Sequence, residues 1–363
     1  MIKDSAFIIL QAVKTYLYRK MPDIFHILVA FCMKMLRGYY CYAWLQRKSN
    51  GRFLYVQFYK GSGDTAIAAA WIQYCQQNGI EKQRLQNCEF VVNGSGAGCV
   101  ARLFLPKEIP VTVLRETQSR ALVCLQRFLG RQVLNMQFLH YMSDVPMYTN
   151  SIIFLSGLHG IDFLDLYRAA VFGGREFILP TPKWDEADVW ANTLFHSYSL
   201  IPRHTVLIAP EAASIAAGPK QRFWSWIAYL LKKKGFSVCT NIVRANDIPI
   251  PGTTGVMISY EKLDSFLRLG GYFIGYRSGL CDLIAFTACK KIVIYPKQNW
   301  PVYGGMLIDS TKNIFSLRKM GLCYDVLELE YEETTAWKLA EQIVEHIEMW
   351  EIQKDEGTDT CSK

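Results

Sequence analysis

The pattern of apolar and polar positions changes abruptly at residue 52. From there, short runs rich in β-branched and aromatic residues alternate with glycine-containing loops and with longer runs of helical periodicity. In the first half these runs predict strands at 53–58, 90–92, 111–114 and 152–155, and helices at 66–77 and 118–129. The alternation is typical of a parallel sheet covered by helices, as in a Rossmann-like domain.

The same alternation restarts after a segment at 180–188 that is crowded with proline, tryptophan and charged residues. It predicts strands at 205–209, 237–241, 272–274 and 292–295, with helices at 222–234 and 280–288. A chain of 363 residues is also too long for one ordinary core. We therefore predict an α/β protein with two Rossmann-like domains facing a central cleft, at 51–185 and 186–333, then a C-terminal helix at 334–353 and a disordered tail at 354–363.

The first fifty residues lack this alternation and predict a separate helical segment, 1–50. Its two apolar runs, 5–13 and 24–33, are followed by lysine and arginine. Neither reaches the roughly twenty residues that cross a bilayer, and no small-residue cleavage site follows them. Two interpretations stay open: helices that lie on an anionic membrane surface, or a helical hairpin packed on the body. The aromatic residues Tyr39, Tyr40, Tyr42 and Trp44 favour the membrane surface.

Composition narrows the class of partner. A formal charge of +8 suits anionic partners such as nucleotides, acidic lipid headgroups or nucleic acid. Nucleic acid is disfavoured because the basic residues form no stripe interleaved with aromatic ones. The eleven cysteines are scattered, odd in number and without a C-x-x-C pair. Reduced thiols of this kind indicate a cytoplasmic protein, peripheral at most on the inner face of the membrane.

Three loops follow predicted strands and carry polar residues that helix packing does not require. The first contains Gly61, Ser62, Gly63 and Asp64. Its glycines let a ligand approach the backbone, and Asp64 falls at the start of a helix, where the dipole stabilises a carboxylate. Asp64 is therefore either a general base that faces the cleft or a simple N-cap.

The second loop begins with Pro210 and Glu211 and runs past Ser214 to Lys220, just before a predicted helix. Small residues ahead of a helix leave amide groups free, and a nearby lysine supplies charge for a phosphate. The alternative is a solvated loop whose basic residues bind nothing.

The third loop, which we call the elbow, comprises Tyr276, Arg277, Ser278 and Gly279 and leads to Asp282. It follows a strand and precedes a helix, at the edge where open α/β sheets bind ligands. The planar fork of an arginine suits a diphosphate there. The alternative is that Arg277 pairs with Asp282 and only fixes the turn.

Two further residues are acceptor candidates. His159 and Asp162 follow the predicted strand at 152–155 and could contact an acceptor or could cap a turn. The six histidines are far apart in sequence and no Asp-x-Asp run is present, so the sequence predicts no metal site.

Together the Gly-Asp-Thr loop, the Pro210 loop leading through Lys220 into a helix, and the Ile-Gly-x-x-Ser-Gly-x-x-Asp segment resemble the bacterial heptosyltransferase-like glycosyltransferases. The resemblance covers about residues 52–300. It implies the GT-B fold, with the acceptor held mainly by the first domain and the nucleotide-sugar by the second. No cofactor is implied, because the nucleotide-diphosphate sugar is itself the substrate.

By position, the resemblance implies that Asp64 deprotonates the acceptor and that Ser214 and Lys220 contact the donor phosphates. Ser278, Gly279 and Asp282 match a Ser-Gly-x-x-His stretch of the family. This chain departs from the pattern, since Asp282 stands where typical members have histidine and Arg277 where they often have aspartate. With this departure, the chain is more similar to transferases of capsule and polysaccharide gene clusters than to true heptosyltransferases.

The expected activity is metal-independent, inverting transfer of a sugar from a nucleotide-sugar to a saccharide or lipid-linked acceptor, in capsule or lipopolysaccharide synthesis. Two alternatives stay open: a nucleotide-sugar epimerase of the same fold, and a non-catalytic binding protein at the membrane surface.

Overall fold

The computed structural model describes residues 22–130, 132–140, 160–212, 218–244, 246–297, 299–301, 307–309 and 311–358. The predicted strand at 152–155, His159 and Ser214 therefore lie outside the described residues, as does the apolar run at 5–13. Within the described parts, two parallel sheets carry most of the chain.

The first sheet has the strand order β3-β2-β1-β5-β4. All its pairings are parallel except that of β4 with β5. Its strands are β1 Phe53–Gln57, β2 Cys88–Asn93, β3 Val111–Leu114, β4 Gln132–Val133 and β5 Met136–Phe138. The helices of this half are α1 Pro22–Lys48, α2 Ser62–Gln77, α3 Lys82–Leu85, α4 Ser95–Phe104, α5 Glu116–Leu129 and α6 Phe163–Ala170.

The second sheet is wholly parallel, in the order β13-β10-β9-β6-β7-β8. Its strands are β6 Thr205–Ala209, β7 Ser237–Asn241, β8 Thr254–Val256, β9 Gly271–Tyr276, β10 Lys290–Pro296 and β13 Leu327–Tyr331, and a two-stranded ribbon joins β11 Asn299–Pro301 to β12 Leu307–Asp309. The helices are α7 Asp188–Ser197, α8 Gln221–Lys233, α9 Leu263–Gly270, α10 Gly279–Ile284, α11 Lys312–Phe315 and α12 Ala336–Thr358, with 3-10 turns at Tyr260–Lys262 and Glu333–Thr335.

A continuous apolar core joins the two halves. It contains Phe53 and Phe90 of the first sheet and Phe273 and Val293 of the second. Parallel sheets with helices on both faces bury their strands completely, and every residue of β1 and β6 is buried. The cleft edges of the sheets are thereby fixed relative to each other, because the same core supports both.

Helix α1 packs on α5 through a close contact at Gly38. A Cβ atom there would lie well inside 3.0 Å of the Ala121 carbonyl and the Leu125 side chain, so glycine is required. Cys41 and Leu45 of the same face are buried beneath it. None of the helices in the described ranges combines the length and the apolar character of a membrane-spanning segment.

Two helix boundaries differ from the sequence prediction. The helix expected at 280–288 ends at Ile284, because Thr287 turns back and its hydroxyl donates a hydrogen bond to the Ile284 carbonyl at 2.8 Å. The final helix continues to Thr358, so the first five residues of the tail expected at 354–363 are helical. Its apolar face, including Ile343 and Ile347, is buried on the second sheet.

Candidate active site

The first loop and the elbow meet head to head at the carboxyl edges of the two sheets. Gly63, near the start of α2, lies against Gly279, the first residue of α10. A Cβ atom on Gly279 would lie well inside 3.0 Å of the Gly63 amide and the Ser62 hydroxyl. One on Gly63 would meet the Asp282 carboxylate just as closely. The two helix starts can approach this closely only because both positions are glycine.

Asp64 is held at this junction by two side chains from elsewhere in the first domain. Its Oδ1 accepts a hydrogen bond of 2.7 Å from the Tyr167 hydroxyl and lies 3.4 Å from Nε2 of His140. His140 is fully buried, whereas the Asp64 side chain remains 16% exposed. The carboxylate is therefore fixed through one oxygen and still reaches solvent.

Asp64 does not act as an N-cap. The N-cap position of α2 is Gly61, and Asp64 lies in the first turn of the helix, where the dipole favours its negative charge. Its backbone carbonyl accepts a hydrogen bond of 3.1 Å from the Gln57 amide, so its main chain and its side chain are both positioned.

The rings around His140 complete the pocket wall. Tyr59 stacks on it with centroids 4.6 Å apart and an angle of 6°, and Phe58 lies at 5.2 Å. Burial first, and the nearby Asp64 carboxylate second, raise the pKa of Tyr59. Because the hydroxyl thus stays protonated at neutral pH, Tyr59 is a hydrogen-bond donor beside Asp64 and not a second base.

Sequence reasoning missed His140, Tyr167 and Tyr59 as site residues. His140 was missed because strand β5 was not predicted. It comes two residues after the end of β5, at the same carboxyl edge of the sheet as Asp64. Had the three residues Met136–Phe138 been recognised as a strand, His140 would have joined the site. Tyr167 carries no such signal, because its position depends on how α6 packs.

In the elbow, Arg277 is turned into the protein. Its side chain is 4% exposed and donates to Asp282 Oδ1 at 2.7 Å, to the Phe315 carbonyl at 2.9 Å and to the Ser278 carbonyl. Burial, opposed by the Arg277 charge, raises the pKa of Asp282 to about 6, and the Asp64 charge adds to the rise. This arrangement corresponds to the alternative in which Arg277 pairs with Asp282 and fixes the turn.

The loop that follows β6 lies at the start of α8. Pro210 is half-buried and Glu211 is exposed, while Lys220 is the N-cap of α8. Lys220 pairs with Glu333 at 3.0 Å, and Arg222 of the first turn pairs with the same carboxylate. The Tyr331 hydroxyl, with Lys220 and Arg222, lowers the pKa of Glu333 to about 2. Two cations therefore stand at the amino end of a 13-residue helix.

Tyr276 lies beside this loop. It is the last residue of β9, it is 1% exposed, and a Cβ on Gly218 would touch its ring at 3.0 Å. Its buried hydroxyl has no hydrogen-bond partner in the described parts of the chain. Buried polar groups are nearly always paired, so this hydroxyl at a sheet edge is a candidate contact for a ligand.

Asp162 serves a local structural role. It is the N-cap of α6, where its carboxylate accepts a hydrogen bond of 2.8 Å from the Asp165 amide. Burial raises its pKa. Within the described residues, no three His, Cys, Asp or Glu side chains are arranged to hold a metal ion.

Comparison with known proteins establishes the fold. No protein-family model matches the sequence, and no curated protein matches it. The solved structure of E. coli ADP-heptose LPS heptosyltransferase II aligns with a TM-score of 0.52 and 10% identity, over 84% of this chain and 99% of that one. This likeness confirms the expected α/β fold of GT-B type.

Two other solved structures align less closely. A glycosyl transferase family 9 protein from Veillonella parvula gives a TM-score of 0.44 at 10% identity, over 80% of this chain and 88% of its own. E. coli heptosyltransferase WaaC with ADP gives 0.42 at 12% identity, over 82% and 99%.

Proposed function

We propose that this protein is a glycosyltransferase that moves a sugar from a nucleotide-sugar to an acceptor hydroxyl, with Asp64 as the general base. The observation that carries the proposal is the Asp64 carboxylate, held by Tyr167 and His140 at the point where the two domains meet. A base needs a fixed position and access to its substrate, and Asp64 has both. The GT-B fold adds a general expectation of sugar transfer, by analogy only.

The donor is assigned to the edge of the second sheet around α8. Lys220, Arg222 and the amino end of the helix offer positive charge for a diphosphate, and the Tyr276 hydroxyl offers a hydrogen-bond donor. Ser214 belongs to the same loop and is kept in the proposal from the sequence alone. Arg277 is not assigned to the donor, because its guanidinium already donates to three protein oxygens.

In this mechanism the acceptor oxygen forms a bond to the anomeric carbon as the bond to the diphosphate breaks. The acceptor proton passes to Asp64, and the departing diphosphate takes its charge onto Lys220, Arg222 and the α8 amides. A single displacement of this kind inverts the anomeric centre. Tyr167 and His140 act as positioning residues, since Tyr167 donates to Asp64 Oδ1 and His140 lies 3.4 Å from the same oxygen, while Oδ2 is assigned to the acceptor.

The elbow has a supporting role in this proposal. Ser278 is the N-cap of α10, and its side chain makes no capping hydrogen bond. Gly279 allows the first loop to approach, and Asp282 with Arg277 holds the turn. Ser62 of the first loop lies near the Tyr260 hydroxyl of the second domain. His159 stays an acceptor candidate from the sequence, whereas Asp162 is used as a cap.

The partners that we propose are a nucleotide-sugar and a saccharide or lipid-linked acceptor of cell-surface polysaccharide synthesis, on the cytoplasmic side of a membrane. The expected domain boundaries, 51–185 and 186–333, remain part of the proposal. An epimerase of the same fold is the second candidate. It is disfavoured because interconversion needs further acid and base groups, and Asp282, the carboxylate of the second domain that lies beside Gly63, is tied to Arg277.

The test combines binding with turnover. Calorimetry with a panel of nucleoside diphosphates identifies the nucleotide base of the donor. The matching nucleotide-sugars are then incubated with polysaccharide and lipid-linked acceptor fractions, and the release of nucleoside diphosphate is measured. Asp64→Asn should lower transfer by about 100-fold or more while the nucleotide affinity changes little. The matched control is Asp188→Asn, because Asp188 is an exposed residue at a helix start whose carboxylate pairs with Arg268.

Each alternative predicts a different result. Full transfer activity in Asp64→Asn would refute the general-base assignment. Conversion of UDP-GlcNAc to its epimer without any acceptor would indicate the epimerase, and the absence of nucleotide binding across the panel would indicate a binding protein.

A further inference from the structure

Helix α1 is apolar on the face that it turns to solvent as well as on the face that packs on the body. Its exposed stripe consists of Val29, Met33, Leu36, Tyr40 and Trp44, at 42%, 48%, 51%, 69% and 43% exposure. The spacing of three and four residues places all five on one side of the helix. A contiguous apolar stripe of this length on a protein surface indicates an interaction site.

The opposite side of α1 is already occupied. Gly38, Cys41 and Leu45 are buried against α5 and the first sheet. The Tyr42 hydroxyl also accepts a hydrogen bond from the Asn135 backbone amide at 3.3 Å. The helix is therefore docked in a fixed rotation, and its stripe faces away from the protein because the other side is used.

The charge of α1 distinguishes between two possible binding partners of the stripe, a second copy of the chain and an anionic lipid surface. From Val29 to Lys48 the helix has four basic residues, Lys34, Arg37, Arg47 and Lys48, and no acidic one. A second copy of the helix would bring like charges together and would be repelled. An anionic lipid surface would instead attract Arg37, Arg47 and Lys48. Lys34 lies on the side of Gly38 and Cys41.

The exposed aromatic residues of α1 also favour a lipid surface as the partner. Tyr39 and Tyr40 are exposed beside Trp44, and Tyr and Trp rings are favoured at the boundary between headgroups and acyl chains. Lys48 already lies over the Trp44 ring at 5.4 Å, which keeps its ammonium group at the rim of the stripe. An apolar face flanked by lysine and arginine is the pattern of a helix that lies in the plane of the interface.

We infer that the exposed stripe of α1 binds the surface of an anionic phospholipid bilayer, with the helix parallel to the membrane plane. The inference deepens the proposed function, since it names the surface on which a lipid-linked acceptor would be met. Binding itself needs neither donor nor acceptor, so it can fail or succeed independently of sugar transfer.

The first test measures flotation of the full-length protein with vesicles of phosphatidylglycerol and phosphatidylethanolamine, and with vesicles of phosphatidylcholine alone. Binding should occur on the anionic vesicles and weaken as salt rises. Leu36→Ser with Tyr40→Ser should reduce the bound fraction at least tenfold, as an estimate from the apolar area lost. The matched control is Val243→Ser with Ile248→Ser, two residues that are 71% and 86% exposed on the second domain.

The charge contribution is tested separately. Arg37→Gln with Arg47→Gln, two exposed residues on or beside the stripe, should weaken binding about 30-fold, from roughly a factor of five or more per basic residue at the surface. Lys232→Gln with Lys233→Gln removes the same charge from α8 and should leave vesicle binding within about twofold, since a charge far from the membrane is screened.

A fluorophore on the stripe reports its location directly. Cys32 is exposed on α1, one turn before Leu36, and can carry an environment-sensitive label in a background where Cys99, Cys124 and Cys361 are replaced by serine. Anionic vesicles should shift its emission to shorter wavelength.

Three results would overturn the inference. The first is equal binding to neutral and anionic vesicles, and the second is vesicle binding without an emission shift. The third is a wild-type protein that forms a dimer and does not bind vesicles, together with a Leu36→Ser, Tyr40→Ser variant that is monomeric. That result would assign the stripe to a second copy of the chain.

Discussion

Replacing Arg277 by methionine distinguishes between the two roles considered for this residue: fixing the turn through Asp282, and binding the donor phosphates. Arg277 and Asp282 have side-chain exposures of 4% and 5%, and their closest atoms are 2.7 Å apart. Methionine fills much of the same space but leaves the Asp282 carboxylate buried without a cation. Breaking a buried ion pair from one side costs about 3–5 kcal/mol, so Arg277→Met should lower the free energy of unfolding by about that amount.

The magnitude should depend on pH in a defined direction. Burial holds the pKa of Asp282 at about 6, above the ordinary value of an unfolded aspartate, about 3.9. A raised folded-state pKa means that this residue favours the folded state below about pH 4, and that the contribution is lost as pH rises through about 6. Without the Arg277 charge the pKa rises further, so Arg277→Met should be costlier at pH 8 than at pH 5.

The assay is urea unfolding followed by tryptophan fluorescence at both pH values, with nucleotide affinity measured in parallel. Arg268→Met is the matched control, because Arg268 pairs with Asp188 on the surface, where side-chain exposures are 52% and 65%. That pair should contribute at most about 1 kcal/mol. A stable Arg277→Met protein that has lost nucleotide binding would refute this reasoning and would indicate that Arg277 contacts the donor phosphates.

Three further predictions concern the cleft. Gly279→Ala should push the first loop from the elbow and lower the unfolding midpoint, measured by thermal scanning, whereas Gly96→Ala should be tolerated because its nearest neighbour is the Tyr260 ring at 3.6 Å. Tyr276→Phe should leave the stability of the free protein unchanged or slightly higher, since its hydroxyl has no partner in the described residues, but calorimetry should show weaker nucleotide binding. Glu333→Gln should release Lys220 and Arg222 and tighten diphosphate binding several-fold, and unchanged affinity would place the phosphates elsewhere.

Local sequence pattern was sufficient for most of the fold. Strands β3, β6 and β7 have the predicted bounds because each is a short β-branched run that its own sequence specifies. Strand β5 was not predicted, since three residues give no periodicity and the strand exists by pairing with β1 and β4. That omission also hid His140, whose place at the sheet edge depends on the pairing.

The candidate site was predictable only in its positions, not in its contacts. The sequence pattern correctly indicated loops at strand ends, at Asp64, Lys220 and Arg277. What each side chain contacts depends on distant residues: Arg277 donates to Phe315, 38 positions later, and Asp64 accepts from Tyr167, 103 positions later. Such partners are set by tertiary packing within each domain, and no local pattern encodes them.

The reversed charge pair of the elbow now has a physical reason. Asp64 lies close enough to Asp282 to raise its pKa, so two free carboxylates at this junction would repel each other and compete for one proton. Arg277 compensates the Asp282 charge from inside the protein, which leaves Asp64 as the carboxylate that is open to a substrate. A histidine at position 282 would need no such partner. We therefore expect the double variant Arg277→Asp, Asp282→His to fold better than either single variant.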